Sequence, residues 1–123
     1  MSDLSQSRIR QIAIVCKDVA RATAFYRDTL GLRFLFSAGP NLAFFDCDGV
    51  RLMLSPAEGD ASGTSVLYYL VNDIQARQTA LAANGVRFVG EAHMIARMPD
   101  HELWLAEFRD SEDNVMALME EKR

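Results

Sequence analysis

Cysteine is scarce in this chain. Cys16 and Cys47 are the two in 123 residues, and they form no C-x-x-C pair. They read as two small thiols buried on strands. A catalytic thiol needs a base or a positive field beside it, and nothing local supplies one. Basic runs are also missing. The 13 Lys and Arg residues are scattered against 17 Asp and Glu, for a net charge of −4 and a pI near 5.1. That argues against nucleic acid as a partner. No stretch approaches the roughly 18 apolar residues of a membrane span, so no membrane role is expected. The opening residues are polar, with no apolar run for a secretory leader, and a cytoplasmic address is expected.

What is present is ordinary apolar material, 50% hydrophobic against 24% charged. That suffices for a core without disulfides. The length fits one domain over 1–123, or two half-domains sharing a core. One stretch organises the chain. Residues 11–32 read as a strand, a cap at Asp18 and a helix that stops at Gly31. A weaker copy runs over 66–86, capped at Asp73 and closed at Asn84 and Gly85. The offset is 55 residues at the caps and 54 at the glycines, a one-residue slip inside the helix. The chain therefore reads as one small module, duplicated: module 1 over about 9–55, a linker over about 56–64, and module 2 over about 65–120.

Residues 1–8 are polar and expected to fray. In module 1, residues 9–16 are β-rich. Asp18 sits where a helix N-cap belongs. Val19, Ala22, Tyr26 and Leu30 recur at helical spacing. Gly31 supplies the left-handed C′ residue. Three short strands follow, over 32–37, 42–47 and 50–55, the last two joined by the hairpin signal Asp48-Gly49. The linker carries turn formers and no periodicity. Module 2 repeats the order, with strands at 66–71, within 87–96, from 101 or 102 to 108, and at 115–120, and with a helix from 73 to 83.

These residues carry a resemblance. Ile12-x-Ile14-x-x-x-Asp18, then Ala24-Phe25-Tyr26-x-x-x-Leu30-Gly31-Leu32, resembles the opening of vicinal-oxygen-chelate proteins. That superfamily holds glyoxalase I, bleomycin-resistance proteins and extradiol dioxygenases. Phe108-x-Asp110-x-x-Asp113-Asn114 resembles the family's F-x-D-P-x-G-N turn, with Ser111 for the proline and Asp113 for the glycine. The resemblance covers about residues 9–120. It implies an α+β fold of two tandem βαβββ modules, whose mixed sheet curls into a cup with the helices outside. It also implies a small-molecule ligand in the cup and a homodimer.

In metal-using members, each strand before a helix and each module's last strand give one ligand to a divalent cation. Carried onto this chain, the four positions fall on Gln11, Met53, Val66 and Ala117. Three of these side chains cannot hold a hard cation, and a lone amide does not hold one. No metal and no other cofactor is expected. A shifted set of Gln11, His93, His101 and Glu107 remains as the alternative.

Alternation along the strands sorts the two faces. With Gln11 turned into the cup, Ala13 and Val15 follow it, while Ile12 and Ile14 pack on the helix. Tyr68, Leu70, Ala117, Met119, Leu103, Leu105 and Glu107 face the cup, with His101 at a strand entrance. Phe44 and Asp46 are the inward set of the third strand, and Met53 with Arg51 lies on the fourth. Apolar walls with a few polar groups make the composition of a small-molecule pocket. Gln11, Phe44, Arg51, Met53, Tyr68, Leu103 and Leu105 are the candidate ligand contacts. Two functions compete. One is a metal-free module that binds an apolar or aromatic small molecule. The other is a glyoxalase-like lyase or isomerase acting next to a carbonyl, with Glu107 as base and Gln11 or His101 polarising oxygen. A dioxygenase fits least, since it needs a redox metal held by two histidines and a carboxylate.

Overall fold

A computed structural model of the chain describes residues 4–6, 8–56 and 63–123. Most of the expected linker therefore lies outside the described residues, as does part of the polar start. Module 1 runs β1 (Gln11–Val15), α1 (Val19–Ala24), β2 (Arg33–Ser37), β3 (Ala43–Cys47) and β4 (Val50–Ser55). Module 2 runs β5 (Tyr68–Leu70), α2 (Ile74–Ala83), β6 (Arg87–Phe88), β7 (His93–Arg97), β8 (Glu102–Arg109) and β9 (Val115–Lys122). β6 and β7 both pair with β8. They act as one strand interrupted around Gly90, whose φ of 88° no extended strand adopts. With that allowance both modules are βαβββ.

The sheets follow one plan. The first has the order β1-β4-β3-β2, and the second β5-β9-β8-β6 with β7 also on β8. In each, the strand before the helix pairs in parallel with the module's last strand, and the other pairings are antiparallel. A parallel neighbour needs a crossover of a dozen or more residues, and the helix with the intervening strands provides it. Among the described residues, no strand of one sheet pairs with a strand of the other. The two mixed sheets are not closed on each other.

The helix of module 1 departs from the expected single α-helix. It is α-helical only to Ala24, and Phe25–Thr29 continues as a wider π turn in which the Leu30 amide donates to the Phe25 carbonyl at 2.9 Å. The slip in the repeat explains this. Asp18 lies 13 residues before Gly31, and Asp73 only 12 before Gly85. A π turn takes up one extra residue without breaking the helix. Tyr26 stays fully buried and Leu30 packs at the edge of the core.

One core serves both modules. Ile14, Phe45, Leu52 and Leu54 of the first sheet, Ala106, Phe108, Met116 and Leu118 of the second, and Val19, Ala22, Tyr26 and Ile74 of the helices form a single buried cluster. Tyr26 is the joint. Its ring packs on Phe45 with centroids 6.1 Å apart, and its hydroxyl donates to Asp110 Oδ2 at 2.7 Å. Asp110 is fully buried and also accepts from the amides of Glu112 and Asn114 at 2.8 Å each. These bonds satisfy a carboxylate that burial would otherwise penalise heavily. Nearby, Leu30, Leu32, Val71, Leu81, Phe108 and Leu118 line a cavity of about 90 Å³ in the joint. The helix-side faces of the two sheets thus meet in this core, and the opposite faces of both look outward.

Candidate ligand-binding site

The outward face of the first sheet follows from register. Gln11 lies beside Arg51, and Arg51 opposite Asp46. In the next row Ala13 lies beside Met53, Met53 opposite Phe44, and Phe44 opposite Phe36. Side chains in register share a face. The intervening residues Ile14, Leu52, Leu54 and Phe45 are in the core, so these two rows face away from it. Four of the expected contacts, Gln11, Phe44, Arg51 and Met53, are brought together here.

Their geometry is specific. Arg51 Nε donates to Gln11 Oε1 at 2.9 Å, and Gln11 Nε2 points to Met53 Sδ at 3.9 Å. The Arg51 guanidinium lies 5.3 Å from the centre of the Phe44 ring. Phe44 in turn stacks on Phe36, with centroids 4.7 Å apart and planes 27° apart. Phe44 is only 8% exposed because these two groups cover it, whereas Phe36 is 45% exposed. Phe36 was not foreseen as part of the site. A register shift between Phe34 and Phe36 interrupts the alternation of β2, so simple parity could not assign it.

The second sheet presents its own rows. Tyr68 lies beside Ala117, and Ala117 opposite Glu107; Leu70 lies beside Met119, and Met119 opposite Leu105. Tyr68 and Leu70 are 55% and 65% exposed. Leu103 shares this face, opposite Glu121. Tyr69, between them, turns inward to the core. Burial pushes the Tyr69 hydroxyl pKa up, with Cys47 and Asp110 adding to the effect.

His101 and Glu107 are not brought together. Six residues of strand separate them, about 20 Å at ~3.3 Å per residue. His101 sits at the strand entrance, its Nδ1 2.8 Å from Asp100 Oδ1, in a small acidic and basic cluster with Glu121 and Arg123. It cannot polarise an oxygen whose neighbouring proton Glu107 removes. His93 is exposed, with Nδ1 3.0 Å from the Glu91 carbonyl. The shifted set of Gln11, His93, His101 and Glu107 is therefore spread over two sheets and a strand end. Among the described residues, no three His, Cys, Asp or Glu side chains converge as a metal site.

The family metal positions do not suit a cation either. Val66 and Ala117 offer no donor atom. Met53 offers a soft thioether, and the oxygen of Gln11 already accepts from a guanidinium. A divalent ion there would face Arg51 at close range, which is repulsive.

Sequence reasoning also passed over Glu112 and Glu120. The Glu112 carboxylate accepts from the amides of Lys17 and Asp18 at 2.6 and 3.1 Å, and Glu120 from those of Asp73 and Ile74 at 3.0 and 2.8 Å. Each fixes the entrance of one helix. Among the described residues, no helix is long and apolar enough to cross a membrane.

Comparison with known proteins agrees with the architecture. The chain superposes on lactoylglutathione lyase from Agrobacterium tumefaciens with a TM-score of 0.76 at 23% identity, over 94% of this chain and 95% of that one. A glyoxalase/bleomycin resistance protein/dioxygenase from Nocardioides gives 0.75 at 20% identity, over 100% and 89%. TnmS3, an antibiotic-binding protein from Streptomyces sp. CB03234, gives 0.76 at 19% identity, over 98% and 100%. At these identities the likeness is one of fold. No curated protein matches at a significant level. The sequence model of the Glyoxalase/Bleomycin resistance protein/Dioxygenase superfamily matches residues 8–118, nearly the whole chain, and the chain belongs to that superfamily.

Proposed function

We propose that the chain is a binding protein for an apolar or aromatic small molecule, held against the outward sheet faces without the family's divalent metal. The observation that carries this reading is the aromatic and aliphatic surface left open on both half-sheets. Phe36, Tyr68 and Leu70 are exposed there, beside a few polar groups. Exposed apolar surface of this kind marks a site that something else covers. The antibiotic-binding neighbour of the same fold supports the reading.

The working unit in this proposal is a homodimer. The two sheets share their core back to back, so one chain cannot set their outward faces against each other. A second copy related by a two-fold axis would set the first sheet of each chain against the second sheet of the other, making two equal cups.

Three measurements test the proposal together. Protein purified without added ions should carry far less than one metal ion per chain by elemental analysis; stoichiometric zinc, nickel, manganese or iron would overturn the metal-free reading. A thermal-shift screen of aromatic compounds should give hits that Leu70→Asp abolishes along with dimerisation, as read by sedimentation. A monomeric wild-type chain would sink the shared cup.

One observation favours a second reading, a glyoxalase-like lyase or isomerase with Glu107 as base. Glu107 lies directly opposite Ala117, one strand from where metal-using relatives place a glutamate, and it has no ion-pair partner among the described residues. Turnover of a 2-oxo compound that Glu107→Gln abolishes, with binding retained, would establish it.

A further inference from the structure

We infer that Arg51 supplies the positive charge at the base of the cup and makes the site selective for planar aromatic anions, such as aromatic carboxylates. This rests on the reading of the cup as a small-molecule site and narrows its ligand class.

The chemistry starts at Gln11, a family metal position that offers an oxygen. That oxygen is held by Arg51 Nε at 2.9 Å. A fixed guanidinium therefore stands beside the place where relatives hold a cation. Among the described residues, its two terminal nitrogens have no partner and no carboxylate lies within ion-pair range of it. The carboxylate in register with it, Asp46, is turned to accept from the Gly49 amide at 3.2 Å. On its other side Asp46 is opposite Arg33, a second cation in the same row. The row is net positive on a protein whose net charge is −4.

The guanidinium is also held in orientation. Gln11 anchors one edge, and the Phe44 ring supports its face. An arginine fixed in this way presents a planar fork suited to a carboxylate. Phe36 continues the stack and leaves nearly half of its surface open. A ligand that offers an anionic group to the fork and a flat ring to Phe36 and Met53 satisfies both features at once. A cationic aromatic meets the guanidinium with like charge.

The test is calorimetric titration of the full chain at low ionic strength with 2-naphthoate and its neutral isostere 2-naphthamide. Wild type should bind the naphthoate about 10-fold more tightly or better, the scale expected of a charge-assisted pair. Arg51→Gln should bring the ratio of the two affinities close to one, and Arg51→Lys should keep part of the preference. Raising salt from about 20 to about 300 mM should weaken only the naphthoate. Equal affinity for the two probes in wild type, or a preference that survives Arg51→Gln, overturns the inference and leaves the cup standing. Failure of both probes to bind wild type overturns the cup and the inference with it. Should Arg51→Gln not fold, an equal salt response of the two probes overturns the inference by itself.

Discussion

At the scale of single residues, the buried ionisable groups set how the protein responds to alkali. Cys16 is 1% exposed. Burial, reinforced by the negative charges of Glu112 and Asp110, pushes its thiol from 9.0 up to about 12. Tyr26 is raised as well, again chiefly by burial. An acid whose pKa is higher in the folded state keeps its proton there longer than in the unfolded chain. Its contribution is intact below pH 9 and is lost as pH rises from about 9 to 12. For Cys16 stability should fall across that window by up to about 1.4 kcal/mol per pH unit, and Tyr26 adds its own loss only above about pH 10. Urea melts at successive pH values check this, and Cys16→Ala should remove most of the part that begins near pH 9, the half-buried Cys47 supplying the rest. A melt midpoint equally steep in that variant would refute the assignment. The sheltered Cys16 thiol was available from the sequence, because it lies in a β-rich run with no base nearby; Cys47, expected to be buried as well, is only half-buried. Asp110 was visible only as part of a motif. Its task, joining Tyr26 of one module to the turn of the other, depends on a contact 84 residues away, which local pattern does not encode.

At the scale of elements, β8, β9 and the turn between them reach across to both helices. Glu112, in that turn, fixes the start of α1, and Glu120, on β9, fixes the start of α2. Each carboxylate meets two backbone amides left over at a helix entrance, where its charge also suits the helix dipole. Glu112→Ala and Glu120→Ala should each cost about 1–3 kcal/mol in urea unfolding. The two losses should nearly add, since the groups hold separate helices. A loss below about 0.5 kcal/mol in either variant would contradict the proposed caps. The succession of strands and helices along the chain, Asp18, Asp73 and the terminating glycines were legible because caps and turns leave short-range signatures. The slip of one residue between the copies was legible too, but not its outcome as a π turn. The side chains that faced the core or the outside followed from alternation on β1, β3 and β8. The register shift in β2 hid Phe36, because a shift inverts parity without changing composition.

At the scale of the whole molecule, duplication produces two half-sheets that turn the same kind of surface outward and share everything behind it. The fold class could be read from the repeat and its motifs. The joint has one more consequence, for how the native state opens. Tyr26 belongs to the first copy and Asp110 to the second, and each is buried by the other's neighbours. Neither copy can unfold and leave its twin with a closed interior. The slowest-exchanging amides of β4 and of β9 should therefore report one common opening free energy, equal to that of global unfolding. Native-state hydrogen exchange would show two distinct plateaus if the halves were independent folding units. Tyr26→Phe, which deletes the bond between them, should be the change that begins to pull those plateaus apart.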